Sequence, residues 1–232
     1  MQRQVAIRPE HLFVTVIDLL KDEKKVKIID VLQQKQWATI FVVYLRYLIG
    51  GAFVFAAIVK IQGGRFTTDD GSTAPIDSAW HLFETLYRSG TYWKFLGWGQ
   101  LIAGFLLMTQ RFATLGALIF FPVTLNIFFI TMSYSFGGTP IITGLLVLAT
   151  IFLLLWDYNK LLPLLQTGDG HIIHNYNKIP NNSLWTSIGV LLFLITVIYV
   201  LIWERNPGGW ILLCIAVGLS ALILHFIRQR RK

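Results

Sequence analysis

Residues 37–60 read WATIFVVYLRYLIGGAFVFAAIVK, a run in which Arg46 and the terminal Lys60 are the only charged residues. A helix that crosses the hydrocarbon core of a bilayer needs about 20 mostly apolar residues, so this run predicts a transmembrane helix. Arg46 follows Trp37 by nine residues, which is about 13 Å along a helix that rises about 1.5 Å per residue. A charge at that depth is expensive in lipid, and it predicts either a functional pocket or a buried ion pair.

Five further apolar runs follow, and they predict a membrane protein. Of the 232 residues, 55% are hydrophobic and 14% are charged, whereas a soluble domain has about 25% charged residues. Tryptophan or tyrosine stands near most ends of the runs, at the level where lipid headgroups favour these side chains. The predicted fold class is all-α and polytopic, and Pro122 should kink or rearrange the third span. The six predicted spans are Trp37–Lys60, Trp93–Thr109, Phe112–Ser133, Thr139–Asp157, Leu184–Trp203 and Gly209–Ile227.

Lysine and arginine residues are distributed unevenly between the two sides of the predicted bundle. Fourteen of the 20 fall on the side that holds both termini, five fall on the other side, and Arg46 lies within a span. Because basic residues are enriched in cytoplasmic loops, this bias predicts that both termini are cytoplasmic. The net charge of +8 then reflects the orientation of the protein in the membrane, and nucleic acid is not an expected partner.

Two segments outside the spans are predicted to contain further helices. Residues 1–36 form a predicted cytoplasmic segment with an amphipathic helix on the membrane surface, the alternative being a tail that is only partly helical. The outer loop 61–92 contains an aromatic-rich helical stretch from Trp80 to Tyr87, which we expect to cap the bundle. The apolar face of the first of these helices carries Leu12, Val16, Leu19 and Leu20.

The remaining segments carry less information about function. The cytoplasmic loop 161–183 contains His171 and His174, three residues apart, but no third ligand stands near them, so no metal site is predicted. Residues 184–232 form a predicted hairpin of two transmembrane helices with a basic tail.

Polar residues at helical spacing recur within the predicted spans. Arg46 and Lys60 share one face of the first helix, since 14 steps of about 100° return to within about 40°. Gln100 and Arg111 share a face of the second helix by the same arithmetic. The alternative is that these side chains only join helices, at about 0.6 kcal/mol each, or extend to the headgroups. The candidate ligand-binding residues, which we expect to line a polar seam between the first four helices, are Arg46, Lys60, Gln100, Arg111, Asn126 and Asp157.

Two stretches of the sequence resemble the DoxX family of membrane proteins. The run from Tyr44 to Lys60 is similar to the opening helix of that family, with an arginine, a stretch rich in small residues and phenylalanine, and then a lysine. The run from Leu96 to Arg111 is similar to its Gly-x-x-Glu element, with Gln100 where a glutamate is common. The resemblance covers about residues 42–162.

This resemblance implies an architecture, a location and a chemical context. It implies a four-helix membrane domain over residues 37–160, with the last two helices as a C-terminal addition. It also implies the inner membrane of a bacterium. Some relatives look like small subunits of thiosulfate:quinone oxidoreductases and others like partners in redox-stress complexes, which implies a quinone-linked or accessory role.

The residues themselves favour ligand binding. A single cysteine, Cys214, excludes an intramolecular disulfide and a CxxC redox pair. No histidine lies deep in a predicted span, so haem ligation is not expected, and no catalytic constellation shows that the chain is an enzyme. We expect an accessory subunit that holds a quinone, an isoprenoid or a lipid, with Arg46 at the polar head. The alternatives are a membrane subunit of a quinone-linked oxidoreductase with a redox partner, a small-molecule transporter, and a structural assembly partner.

Overall fold

The computed structural model describes residues 29–65, 70–134, 136–165, 183–202 and 206–230. Within these ranges the secondary structure is helical and contains no strand. The amphipathic helix predicted within residues 1–28 and the two loop histidines lie outside the described residues. The helices are α1 (Gln36–Ile61), α2 (Ala79–Arg88), α3 (Thr91–Met108), α4 (Ala113–Ser133), α5 (Thr139–Trp156), α6 (Tyr158–Leu165), α7 (Ser183–Ile202) and α8 (Pro207–Arg230), with a 3-10 turn at Gly71–Thr73.

Five of the described helices are long and apolar enough to cross a membrane, namely α1, α4, α5, α7 and α8. The chain is therefore an all-α, multi-pass membrane protein, as the hydropathy predicts. Helix α3 occupies the position of the remaining predicted span, but Lys94 and Gln100 make it more polar, and it is not one of the five. All six predicted spans coincide with helices whose ends differ by at most three residues, and α4 continues through Pro122.

Helices α1 and α3 run antiparallel and approach each other closely at two glycines. A Cβ atom on Gly50 would stand 3.0 Å from the carbonyl oxygen of Gly104, and a Cβ on Gly104 would stand 2.9 Å from the carbonyl oxygen of Gly50. Contacts of this kind need glycine because any side chain would separate the two backbones. The close approach at Gly50 fixes which face of α1 meets α3.

Helix α1 lies between two clusters of buried apolar side chains. On one side it packs with α3, α4 and α5, where the rings of Phe53 and Phe120 meet edge to face with centroids 4.4 Å apart. On the other side it packs with α7 and α8, where Tyr47 lies beside Trp185 and Ile188. Opposite sides of α1 therefore face different helices, namely α3, α4 and α5 on one side and α7 and α8 on the other.

Helix α2 covers one end of the bundle and is held by ionic contacts. Its rings Trp80 and Phe83 lie against Phe136, with centroids 5.0 and 5.8 Å away. The buried carboxylate of Glu84 accepts hydrogen bonds from Arg65 Nε and Arg88 Nε, both at 2.8 Å. These two guanidinium groups hold the pKa of Glu84 at about 2. The helical cap predicted in this loop is thus confirmed as a helix that packs beside the end of α4.

Candidate functional site

Arg46 is buried in an ion pair with Asp157. Its Nη2 atom lies 2.7 Å from Asp157 Oδ2, and the two side chains are 1% and 3% exposed. Arg46 lies within α1, and Asp157 follows the last residue of α5, so the pair joins two helices that are distant in sequence. Of the two roles expected for Arg46, the structure shows the ion pair.

Three further side chains complete the group that we name the Arg46 cluster, which consists of Arg46, Gln110, Thr114, Asp157 and Lys160. Thr114 Oγ1 donates to Asp157 Oδ2 at 3.0 Å, and Lys160 Nζ lies 3.0 Å from Asp157 Oδ1. Arg46 Nη1 donates to Gln110 Oε1, also at 3.0 Å. The cluster therefore holds two cations and one carboxylate, and it connects α1, α4 and the start of α6 through Asp157.

Gln110 has an uncommon backbone conformation. Its φ of +61° makes it the one non-glycine residue with a positive φ among the described residues. Such a conformation is strained for a residue with a side chain and persists only where the surroundings hold it. The hydrogen bond from Arg46 provides one such restraint, so the tight turn between α3 and α4 and the buried arginine are coupled.

The junction of α5 and α6 is also fixed by the segment before α1. Gln33 Nε2 donates to the carbonyl oxygen of Trp156 at 2.7 Å, and the hydroxyl of Tyr158 donates to Asp30 Oδ1 at 2.8 Å. Together with Asp157, three consecutive buried residues are bonded to α1 or to residues 29–33. Both carboxylate oxygens of Asp157 already accept hydrogen bonds within the protein. The cluster therefore suits a structural contact between helices better than a proton-transfer site.

Lys60 and Gln100 are buried in the other half of the bundle. Lys60 is 7% exposed, and its Nζ donates to the carbonyl oxygen of Ala56 at 3.2 Å and lies 5.2 Å from the ring centroid of Trp93. Gln100 is also 7% exposed, and its Oε1 has no hydrogen-bond partner among the described residues. Four of the six predicted residues are therefore buried, and two of them, Arg46 and Asp157, are in direct contact.

The prediction that Asn126 and Arg111 line the same seam is wrong. Asn126 is exposed, because it stands two residues, or about 200°, around α4 from the buried Thr124. Arg111 is also exposed, and its guanidinium lies 5.5 Å from the ring centroid of Phe112. The helical spacing from Gln100 does not extend to Arg111, because α3 ends at Met108.

A groove of about 300 Å³ lies across α1 from the Arg46 cluster, between α1, α7 and α8. Tyr44 and Leu48 stand two residues before and after Arg46, about 160° around the helix, so they face the groove while Arg46 faces away. The groove has two levels. Tyr44 and Gly218 line the level near Arg46, and Gly51 and Trp210, which lies in the first turn of α8, line the other. The sequence does not predict this groove, since it forms between α1 and two helices that begin more than 120 residues after α1 ends.

The walls of the groove are apolar although they include several polar side chains. Tyr44 donates to the carbonyl oxygen of Gly218 at 2.5 Å, and Tyr47 donates to that of Trp185. Trp210 Nε1 donates to Thr196 Oγ1 at 3.0 Å, and the Thr196 hydroxyl in turn donates to the carbonyl oxygen of Leu192 at 2.8 Å. The hydrogen atoms of these groups are therefore directed into the protein.

The apolar helices, the buried ionic joint and the lateral groove define a helical, multi-pass integral membrane protein. The chain is 38% identical over 114 residues to the uncharacterised protein YwoB of Bacillus subtilis (strain 168), a match that covers 47% of this chain and 71% of that protein. The chain belongs to the family of that Bacillus protein. No family model matches the chain, and no solved structure matches it.

Proposed function

We propose that the chain is a six-span, DoxX-like protein of the inner membrane in which α3 is the sixth span. Two observations support α3 in this role. It packs along α1 in the antiparallel direction from Gly97, beside Ala57, to Gly104, beside Gly50. Its one lysine, Lys94, lies in the first turn, where the side chain reaches the headgroup level.

The charges at the two ends of the bundle favour cytoplasmic termini. The end near Trp93 combines basic residues with Asp70, Asp77 and Glu84. The end that holds the Arg46 cluster is more basic, and basic residues are enriched on the cytoplasmic side. The described basic residues outside the spans at the latter end are Lys35, Arg111, Lys160, Arg228 and Arg230.

A thiol at position 77 is expected to react with a membrane-impermeant maleimide on intact cells, and a thiol at position 111 is expected to react only after the cells are opened. The variants are Asp77→Cys and Arg111→Cys, each in a Cys214→Ser background, and both positions are exposed. Mass-shift labelling on gels measures the reaction. Labelling of position 111 on intact cells would reverse the proposed orientation.

We further propose that the protein holds an amphiphile, namely a quinone, an isoprenoid or a lipid, as an accessory membrane subunit. The observation that carries this proposal is the apolar groove between α1, α7 and α8, because ligand sites are concave and mostly apolar. In this proposal the Arg46 cluster has a structural role and does not bind the ligand, because both terminal nitrogens of Arg46 already donate hydrogen bonds within the protein. The DoxX resemblance is consistent with a ligand of the quinone and lipid class.

A Cys214→Phe variant is expected to retain about tenfold less co-purified amphiphile than the unchanged protein, because the larger ring fills the groove. The matched control is Leu212→Phe, on the same helix at a position that is 69% exposed and does not line the groove. Native mass spectrometry and lipid extraction of both purified proteins measure the amount. Equal retention by both variants, or no amphiphile in the unchanged protein, would refute the proposal.

A further inference from the structure

We infer that the groove is selective for the hydrocarbon chain of its amphiphile and excludes a polar ring such as a quinone head. This inference rests on the proposed amphiphile binding and specifies which part of the molecule enters. The groove would then take an acyl or isoprenoid chain of a bilayer amphiphile, while the head of that molecule remains outside.

The distribution of hydrogen-bond donors carries this inference. A quinone head brings carbonyl oxygens, which need donors when they are buried. Tyr44 and Tyr47 donate to main-chain carbonyls, and Trp210 donates to Thr196. A tyrosine hydroxyl and an indole nitrogen each have one hydrogen atom to donate, so none of these groups has a second one to offer.

The remaining polar groups at the groove are weak donors or are already engaged. The Thr196 hydroxyl donates to Leu192, and the thiol of Cys214 is a weak donor. Among the described residues that line the groove there is no lysine, arginine or histidine. Each carbonyl left without a donor would lower affinity about tenfold, since an unpaired buried acceptor loses its water without compensation.

The position of the groove permits a chain to enter from the bilayer while its head stays at the surface. The residues at the rim are exposed on the lipid-facing surface of α1 and α8, with Leu48 at 67%, Ile215 at 52% and Leu219 at 56%. The opening is therefore lateral. At one level Tyr44 is bonded to Gly218, and at another Trp210 is bonded to Thr196, so hydrogen bonds fix the aromatic walls between which a chain would lie.

The two aromatic rings in the groove walls pack closely against glycines of the opposite helix. A Cβ on Gly218 would stand 3.1 Å from Tyr44 Cε1, and a Cβ on Gly51 would stand 3.2 Å from Trp210 Cζ2. Each ring thus lies against the backbone of the opposite helix. Ring and backbone are therefore in contact at both levels, and a groove bounded by such contacts favours a flexible chain over a substituted planar ring.

Three photoreactive probes in native membranes test the inference on the full-length protein. The first is an isoprenoid quinone with a diazirine in the middle of its tail, and the second is the same quinone with an azide on its ring. The third is a phospholipid with a diazirine in the middle of one acyl chain. Peptide mapping then measures labelling of Cys214 and its neighbours in the groove, relative to the outer face of α8 at Leu212.

At least one chain probe is expected to label the groove about tenfold more than the ring probe does. Cys214→Phe should abolish this labelling and leave that at Leu212 unchanged. Groove labelling by the ring probe at the level of the chain probes would overturn the inference while leaving the proposed amphiphile binding intact. Groove labelling by none of the three probes would refute the amphiphile binding itself.

An added donor provides a second test. Ile211→Gln places an amide at a position that lines the groove, and the ring probe should then label the groove about tenfold more strongly. Leu212→Gln places the same amide on the adjacent, outward-facing position and should leave labelling unchanged. Unchanged ring labelling in Ile211→Gln would contradict the donor argument.

Discussion

Replacing Asp157 with asparagine is expected to destabilise the protein more than replacing Arg46 with methionine. Arg46 and Lys160 both pair with the single carboxylate of the Arg46 cluster, so loss of Asp157 removes the negative charge that the two cations share there. Removing one partner of a buried pair costs about 3–5 kcal/mol, because an uncompensated charge remains buried. Loss of Arg46 leaves Asp157 paired with Lys160 and bonded by Thr114, so its expected cost is below that range.

Thermal unfolding in a single detergent, followed by the fraction that stays monodisperse on a sizing column, measures this order. Asn126→Leu is the control, since it removes an exposed polar group from α4 and should have little effect. The double variant Arg46→Met/Asp157→Leu should recover much of the stability lost in Asp157→Asn, because Lys160 is 28% exposed and can reach water. Equal losses in the two single variants would contradict the charge imbalance.

Local composition was sufficient to predict the six long apolar helices but not α6, which lies partly in the segment predicted as a loop. Runs of about 20 apolar residues have one stable conformation in lipid, in which every backbone group is bonded within the segment, so hydropathy alone located the helices. Burial of Arg46 followed from the same reasoning, since a charge nine residues inside such a run must face the protein. The close contact at Gly50 also has a local cause, because a small residue on a helix face permits a close neighbour.

The partners of these residues depended on how the helices rotate and pair, which composition does not specify. Arg46 and Asp157 are 111 residues apart in the sequence. Gln110, which accepts a hydrogen bond from Arg46, lies in a turn with a positive φ, which a helical wheel does not describe. Asn126 was predicted to face inward because it is polar, whereas the rotation of α4 directs Thr124 inward instead. The groove requires α7 and α8 to lie beside α1, and nothing in the spacing of residues indicated that placement.

Replacing Gly189 with alanine is expected to separate α7 from α3. A Cβ at this position would overlap the carbonyl oxygen of Met108 and would stand 2.9 Å from Tyr47 Cε1. The carbonyl belongs to the backbone of α3, so the helices must move apart, since no flexible side chain can yield. Overpacking in a tight core costs about 1–3 kcal/mol, and a clash with backbone belongs at the upper end of that range or above it.

The same substitution at Gly99 is the matched control, because a Cβ there meets no atom within 4 Å. Gly99→Ala should leave the unfolding temperature unchanged or raise it, since alanine favours a helix over glycine by about 1 kcal/mol. Gly189→Ala should lower the unfolding temperature and also reduce the amphiphile retained, because Tyr47, beside Gly189, lines the groove. Equal unfolding temperatures for the two variants would show that α3 and α7 do not meet at Gly189. If Gly189→Ala lost much stability but retained all of its amphiphile, the contact between α3 and α7 would not affect binding. The bound chain would then lie elsewhere on the protein.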